Sequence, residues 1–228
     1  LSEQLSKFPA CSKHISFSDH TLYSIMDIIH ADDTDGNVDM NILAPSISLL
    51  KLLVHHLPII HNCIKLNLVV SIDKCFDYPI SFSIAADLID ILAMLASSKE
   101  EQIFEQMKTH SVISRICDIL SCINIYIAPS RERDRLTNLP FIESGINTED
   151  EFLISPLLIF IFHYFNWKDS NDYIVSLELM EHLFGIFIMP LSETNTCCCI
   201  NTLMNITVKK NYYLFKKTLQ NLRIPIID

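Results

Sequence analysis

Glycine is scarce in this chain of 228 residues, with only Gly36, Gly145 and Gly185 present. Tight hairpins and phosphate-binding loops need glycine at particular positions, because its backbone reaches conformations that other residues avoid. Three dispersed glycines argue against a strand-rich fold and exclude a glycine-rich phosphate loop. No segment is a convincing candidate for a regular strand.

Positive charge is also in short supply, since 17 Lys and Arg residues face 27 Asp and Glu residues and the net charge is −10. A surface that binds duplex nucleic acid normally carries an excess of Lys and Arg. Direct binding to nucleic acid is therefore disfavoured. The cluster of Lys209, Lys210, Lys216 and Lys217 and the Arg131–Arg135 segment leave a nucleic-acid-associated adaptor as a third possibility.

Long apolar segments are absent. The longest uncharged apolar run, Phe152–Trp167, includes Pro156 and His163. It is shorter than the about 20 residues that a membrane-spanning helix needs. We interpret it as a buried core helix and expect no membrane association. Leu1–Ala10 does not resemble a signal peptide.

Eight cysteines are present, but their setting does not favour disulfides. Disulfide-rich proteins are usually small and rich in loops. Most of these cysteines lie instead in apolar segments with helical spacing, where a free thiol packs as a small hydrophobe. We expect free thiols and an intracellular, reducing compartment, either the cytoplasm or the nucleus.

No set of metal ligands or catalytic groups is convincing. A zinc site needs pairs of ligands at short spacing, but Pro58 separates His56 from His61. The side chains of Cys197–Cys199 point about 100° apart on a helix. No nucleophile is accompanied by a positioned base. We expect no metal, no cofactor, no small-molecule substrate and no enzymatic activity.

Apolar residues recur at spacings of three and four through most of the chain, which is typical of amphipathic helices. The predicted helices cover His20–His30, Ile42–Leu57, Ile59–Phe76, Ser81–Ala96, Glu100–His110, Val112–Ala128, Glu151–Asn166, Tyr173–Met189, Thr194–Val208 and Asn211–Leu222. The predicted fold class is all-α. Pro129–Asp150 breaks the periodicity and is predicted to be a long inserted loop, either mobile or ordered as a contact segment.

An arrangement of five apolar residues occurs twice, 111 residues apart, which indicates internal repeats. The two copies are Leu92, Leu95, Phe104, Ile113 and Ile116, then Leu203, Ile206, Phe215, Ile224 and Ile227. A weaker copy, about 40 residues before the first, contains Leu49, Leu52, Ile64 and Phe76. Helical units that cannot bury their own apolar faces must stack, and stacked units present long binding surfaces.

The stretch Ile89–Ser98 and the segment after it resemble an armadillo repeat. In that family the last helix of a repeat ends in a Leu-x-x-Leu-Ala-Ser pattern, which Leu92 and Leu95 match. A short helix with one buried anchor follows, here Phe104, and then an aliphatic helix, here with Ile113. HEAT repeats are the close alternative. The resemblance implies a right-handed superhelix, an α-solenoid, in which the third helices of the repeats line a concave groove.

The groove residues implied by the resemblance are Asp87, Asp90, Met94, Asn201 and Asn205. Nuclear-import adaptors of this family carry a tryptophan and an asparagine four residues apart in the groove. Asp90 with Met94, and Asn201 with Asn205, occupy the matching positions. Because both tryptophans are missing, we do not expect binding of nuclear-import signals. The two aspartates would favour a basic or helical partner. Alternatively, the asparagines lie on a solvated polar stripe.

Aromatic residues are concentrated in the second half of the chain, at Phe160, Tyr164, Trp167, Phe184 and Phe187. Such a stripe is more often part of the core. It would otherwise form an exposed apolar ridge at which a second chain docks. The ridge defines the second candidate function, an assembly module that forms a homodimer or a constitutive complex.

Residues 1–228 are thus predicted to form a single α-helical repeat domain that acts as a non-catalytic scaffold. The partner would be a protein, bound as a helix or an extended peptide in the groove between Ser81–Ala96 and Thr194–Val208. The chain begins at Leu1 rather than at methionine and ends at Asp228 inside a repeat copy. We therefore expect it to be excised from a larger protein.

Overall fold

The computed structural model describes residues 19–30, 39–54, 57–78, 80–120, 148–167, 177–187, 193–210 and residue 216. Every regular element within these ranges is a helix, and no strand occurs there. The predicted all-α class is confirmed. The chain divides into two compact units, Leu1–Val112 and Ile113–Asp228.

The first unit contains six helices within its described residues. They are α1 (Asp19–His30), α2 (Met40–Val54), α3 (Leu57–Lys65), α4 (Leu68–Cys75), α5 (Phe82–Ser97) and α6 (Glu101–Thr109). Residues 112–120 form α7, which contains the boundary between the units. In the second unit the elements are α8 (Thr148–Asn166), α9 (Leu177–Phe187) and α10 (Glu193–Lys210).

The core of the first unit forms where α2 packs against α5. Leu43, Ile47 and Leu50 follow the helical spacing along α2 and are buried, as are Leu88 and Leu92 on α5. Removing one such side chain from water contributes about 1.5–3 kcal/mol to the free energy of folding. Further pairs, α1 with α4, α3 with α4 and α4 with α6, extend this core.

In α2 the weaker copy of the apolar arrangement is one residue out of register with the residues that are buried. Leu49 and Leu52 are half-buried, whereas Leu50 and Leu53 are fully buried. One residue along a helix turns the side chain by about 100°. The stripe of α2 that faces the core therefore runs through Leu50 and Leu53, and the predicted pair lies at its edge.

The single helix predicted at Ile59–Phe76 is wrong, because the chain breaks into α3 and α4 at Asn67. The backbone of Asn67 has φ 52° and ψ 45°. This left-handed conformation ends an α-helix, and asparagine tolerates it better than most residues. Gln106 of α6 holds the break in place. Its Nε2 donates to the Asn67 Oδ1 at 3.1 Å and to the Ile64 carbonyl oxygen at 3.1 Å.

The second unit is held together at α10, which packs against both α8 and α9. The buried Thr202 Oγ1 lies 3.4 Å from the carbonyl oxygen of Leu158 in α8 and 2.9 Å from that of Cys198. The thiol of Cys199 donates to the carbonyl oxygen of Leu183 in α9 across 3.7 Å. Small polar groups therefore join α10 to its two neighbours inside the core, where leaving them unpaired would be costly.

The apolar run Phe152–Trp167 lies in α8, except for Trp167, which follows the helix, and it forms a core helix as predicted. Leu157, Phe160 and Ile161 are fully buried, although Phe152 at the start of the run is exposed. In the part of the chain that the structure describes, no helix combines the length and the apolar character needed to cross a membrane.

The predicted inserted loop is longer than the structure allows, because α8 begins at Thr148 rather than at Glu151. The rest of Pro129–Asp150 lies outside the described residues. The predicted helix Asn211–Leu222 also lies outside them, except that Lys216 is helical. The proposed single repeat domain over residues 1–228 stays a prediction.

Ser111, between α6 and α7, provides a test of the helix junctions because it has φ 52°. Ser111→Gly should raise the free energy of unfolding by about 1 kcal/mol, since glycine adopts this conformation without the clash of a Cβ atom. Urea denaturation measures the change. The control is Ser114→Gly at an exposed position inside α7, where glycine should lower stability by about 0.5 kcal/mol. Equal effects at both positions would contradict the assigned junction.

Candidate functional site

Three of the predicted groove residues share one face of α5. The helix begins after Ser81, whose Oγ accepts a hydrogen bond from the Ile84 backbone N–H at 3.4 Å. From that start, Asp87, Asp90 and Met94 follow at spacings of three and four, so their side chains project from the same side. All three are half-buried. They form a surface that is partly open to solvent, while the opposite side of α5 enters the core.

Lys51 of α2 connects this surface to the neighbouring helix. Its Nζ lies 2.9 Å from Oδ1 of Asp87 and 2.8 Å from Oδ2 of Asp90. Ser48, one turn earlier on α2, donates from Oγ to the second oxygen of Asp87 at 3.0 Å. We call Ser48, Lys51, Asp87, Asp90 and Met94 the α2–α5 face.

The charges of the α2–α5 face are paired but not balanced. Partial burial lowers the pKa of Lys51, but the hydrogen bonds and negative charges of Asp90 and Asp87 outweigh it, so that the pKa is raised above its ordinary value of 10.5. Two carboxylates share this one ammonium group. The face therefore carries a net charge of about −1 at neutral pH, half of what the aspartates alone would give.

Lys51 and Ser48 were not identified from the sequence. The nearest signal was the weaker repeat copy, which places α2 about one repeat before α5 and hence beside it in a stack. That signal names a neighbouring helix. It does not reveal which polar side chain of the neighbour reaches Asp87 and Asp90, because the meeting of these side chains depends on how the two helices are rotated.

The other predicted groove residues lie on α10, in the second unit. Asn201 is exposed, and the side chain of Asn205 lies outside the described part of the structure. Cys197, Ile200 and Met204 are also exposed and lie on the same side of α10 as Asn201, at helical spacing. This surface is more apolar than the polar stripe considered from the sequence, since Met204 alone is 58% exposed.

The exposed aromatic ridge is contradicted at three of its five positions. Phe160, Tyr164 and Phe184 have relative exposures of only 0%, 1% and 5%. The rings of Phe160 and Tyr164 lie 5.6 Å apart, a distance at which aromatic rings attract each other. Trp167 is half-buried, and the side chain of Phe187 is not among those described. The stripe belongs largely to the core, because removal of large rings from water outweighs their display on a surface.

The described ranges give little support for metal binding or for a nucleophilic cysteine. No group of three or more His, Cys, Asp or Glu side chains there could hold a metal ion. The thiols of Cys63, Cys75 and Cys199 are buried, and burial raises the pKa of each to about 12. A thiol that stays protonated at neutral pH is a poor nucleophile. The Arg131–Arg135 segment and the side chains of Lys209, Lys210 and Lys217 lie outside the described residues.

Comparisons with known proteins place this chain in no family. No family model, no curated protein and no solved structure matches it.

The pairing at the α2–α5 face can be measured by a double-mutant cycle. Lys51→Met and Asp90→Asn should each lower the free energy of unfolding, with a coupling of about 0.5–1 kcal/mol between them, as expected for a half-exposed ion pair. The coupling should become smaller in about 1 M NaCl, where the screening length falls to about 3 Å, although a partly buried pair is screened less than an exposed one. A coupling near zero at low salt would show that the ion pair does not form in solution.

The pH dependence of stability gives a second check on Lys51. Its pKa is raised on folding above the ordinary value of 10.5, so the stabilising contribution is complete below that value and is lost as the pH rises through the folded value. The protein also loses stability above pH 9.0, the ordinary pKa of the buried thiols, because burial raises the pKa of each thiol in the folded state. The fall that belongs to Lys51 is the part that disappears in Lys51→Met. Identical profiles for both proteins would contradict the assignment.

Two cysteines of α10 should differ in reactivity even though a single residue separates them. Cys197 is exposed, whereas Cys199 is buried and has a pKa raised to about 12 by burial. Iodoacetamide should label Cys197 at least about tenfold faster under native conditions, because alkylation needs an accessible thiolate. Mass spectrometry of peptides after timed quenching measures both rates. In urea the rates should converge, and native labelling of Cys199 at the rate of Cys197 would be inconsistent with this packing.

Proposed function

We propose that this protein is a non-catalytic scaffold of armadillo/HEAT-like helical repeats that binds another protein. The partner would lie as a helix or an extended peptide on the exposed faces of the long helices. The observation that carries the proposal is the α2–α5 face, in which polar side chains from two successive long helices meet at a partly open surface.

The order of helices in the first unit supports a repeat. Two short helices, α3 and α4, precede the long helix α5, and the short helix α6 and then α7 follow it. The junctions between α3 and α4 and between α6 and α7 share a backbone feature. Asn67 between α3 and α4 and Ser111 between α6 and α7 both have φ 52°. An irregular backbone feature that returns at equivalent places is expected of a repeated unit.

The packing of helices supports the same arrangement. The long helices α2 and α5 pack against each other, and α1 packs against α4. In a solenoid each element contacts its counterpart in the next repeat, and these pairs would be such counterparts. The residues that the resemblance assigned to the interior, Leu92, Leu95, Phe104 and Ile113, are buried.

The mechanism would be non-covalent. A partner segment on the α2–α5 face would meet charged groups of Asp87, Asp90 and Lys51 beside the apolar side chain of Met94. A partner segment on the exposed side of α10 would meet the amide of Asn201 beside the apolar side chains of Ile200 and Met204. Polar groups that fix orientation beside apolar groups that exclude water are the usual composition of a protein-binding surface.

The burial of Phe160, Tyr164 and Phe184 disfavours the assembly module. A ridge that lies in the core is not available to a second chain. The nucleic-acid-associated adaptor rests on basic residues whose side chains lie outside the described part of the structure, apart from Lys216. The overall charge of −10, which repels phosphates, disfavours it. The scaffold is therefore the function that the described surfaces support best.

The proposal is tested by site-directed photo-cross-linking in source cells. Benzoylphenylalanine is placed at Met94 or Asn201, and at Tyr23 or Phe152 as controls, because these aromatic residues are also exposed and lie on other helices. We expect a protein to cross-link from Met94 or from Asn201 and not from the controls, since cross-linking needs direct contact. Gel shift and mass spectrometry identify the product.

A triple variant completes the experiment. Asp90→Lys with Asn201→Ala and Asn205→Ala should lose the cross-linked partner while its helicity by circular dichroism is unchanged. A partner that cross-links only from Tyr23 or Phe152, or that is retained by the triple variant, would move the binding surface elsewhere and overturn the proposal.

A further inference from the structure

We infer that the partner of the α2–α5 face carries an arginine or lysine side chain, and that Lys51 competes with this side chain for the two aspartates. This inference rests on the proposed function, because it names the chemistry of the segment bound there. Lys51 then does more than connect α2 to α5 through ion pairs. It occupies, inside the same molecule, the position that a cation of the partner takes on binding.

A cation of the partner can reach the carboxylates that Lys51 occupies. Lys51 reaches Asp90 through Oδ2, and a carboxylate can accept further hydrogen bonds at its other oxygen. The side chains of Asp87 and Asp90 each keep a relative exposure of 24%, and that of Lys51 keeps 32%. The carboxylates are thus accessible from solvent while they hold the ammonium group.

Charge complementarity selects the sign of the partner. One ammonium group against two carboxylates leaves the face negative, in a chain with a net charge of −10. An anionic segment would be repelled by the negative face and by the net negative charge of the chain. A guanidinium group could bind a carboxylate with two parallel hydrogen bonds, a geometry that the Lys51 ammonium cannot provide. Met94, half-buried on the same side of α5, offers an apolar contact for the stem of such a side chain.

Competition by Lys51 predicts that its removal strengthens the binding of a basic peptide, whereas a purely structural role does not. If Lys51 merely braces two helices, its removal should leave the binding of a basic peptide unchanged or weaken it. If Lys51 competes with the partner, its removal should strengthen binding. Removal of Asp90 should weaken binding, because it deletes one of the groups that both cations seek.

The probe is a fluorescein-labelled peptide of about a dozen residues, with arginine at every fourth position in an alanine and glutamine background. A second peptide carries citrulline, a neutral analogue with the same shape, in place of each arginine. Fluorescence anisotropy at low ionic strength gives the dissociation constants. We expect Lys51→Met to bind the arginine peptide about three- to fivefold more tightly than wild type, and Asp90→Asn to bind it about three- to fivefold more weakly.

Matched controls separate this site from the general attraction of an acidic protein for a basic peptide. Lys65→Met and Glu105→Gln remove the same charges at exposed positions on other helices of the first unit, and each should change the affinity by less than about twofold. The citrulline peptide should not distinguish Lys51→Met from wild type. Lys51→Gln, which keeps a hydrogen-bond donor, replaces Lys51→Met if circular dichroism shows that the latter is misfolded.

Binding that is unchanged or weaker in Lys51→Met and Lys51→Gln would overturn the inference. So would effects of Asp90→Asn and Glu105→Gln that are equal, or an arginine peptide that binds no better than the citrulline peptide. These failures leave the proposed function intact if a partner still cross-links from Met94. A failure of the cross-linking with the expected peptide results would instead leave a cation-binding face without a cellular partner.

Discussion

The short helices of the first unit depend on one another for their existence. The helices α3, α4 and α6 contain 9, 8 and 9 residues, and isolated helices of fewer than about 12 residues are marginal in water. They persist because each buries apolar side chains against a neighbour. This need for mutual burial explains the continuous core. Among the described residues, the long helices α2 and α5 keep one side that is partly open to solvent.

Charged side chains from the two long helices meet on that partly open side. Lys51, Asp87 and Asp90 could not be buried without a large desolvation cost, and at the edge between two helices they pair while still partly hydrated. An ion pair of this kind stabilises a fold modestly. Its position on adjacent long helices, beside Met94, is what makes it the candidate for recognition. The proposed partner chemistry follows from the imbalance of two carboxylates against one ammonium group.

The second unit uses its residues differently. The side chains of Phe160, Tyr164 and Phe184 enter its core, and two small polar groups, those of Thr202 and Cys199, join α10 to the neighbouring helices. The exposed side of α10 is left with Asn201 among apolar residues such as Met204. Three of the five aromatic residues proposed for the ridge are thus structural, whereas Asn201, which was proposed for the groove, is exposed. Size alone does not decide which apolar side chain meets a partner, because the largest gain from burial lies within the fold itself.

The sequence by itself determined the all-α class, most of the helices and much of the buried set, since helical spacing of apolar residues is a local property that survives in any packing. The repeated apolar arrangement and its resemblance to an armadillo repeat placed Leu92, Leu95 and Phe104 in the interior. The sequence also placed Asp87, Asp90 and Met94 on one side of one helix. Sequence did not separate α3 from α4, because the left-handed backbone of Asn67 interrupts a stretch whose apolar spacing continues on both sides.

Only the tertiary structure decided which residues meet. The contact of Lys51 with Asp87 and Asp90 joins positions far apart in the chain, and it depends on the rotation of α2 about its own axis, the same rotation that buries Leu50 and Leu53 instead of Leu49 and Leu52. Tertiary packing likewise decided that Phe160, Tyr164 and Phe184 are buried. A local pattern shows that a side of a helix is apolar or charged. It cannot show what lies against that side, because that depends on neighbours that are distant in sequence.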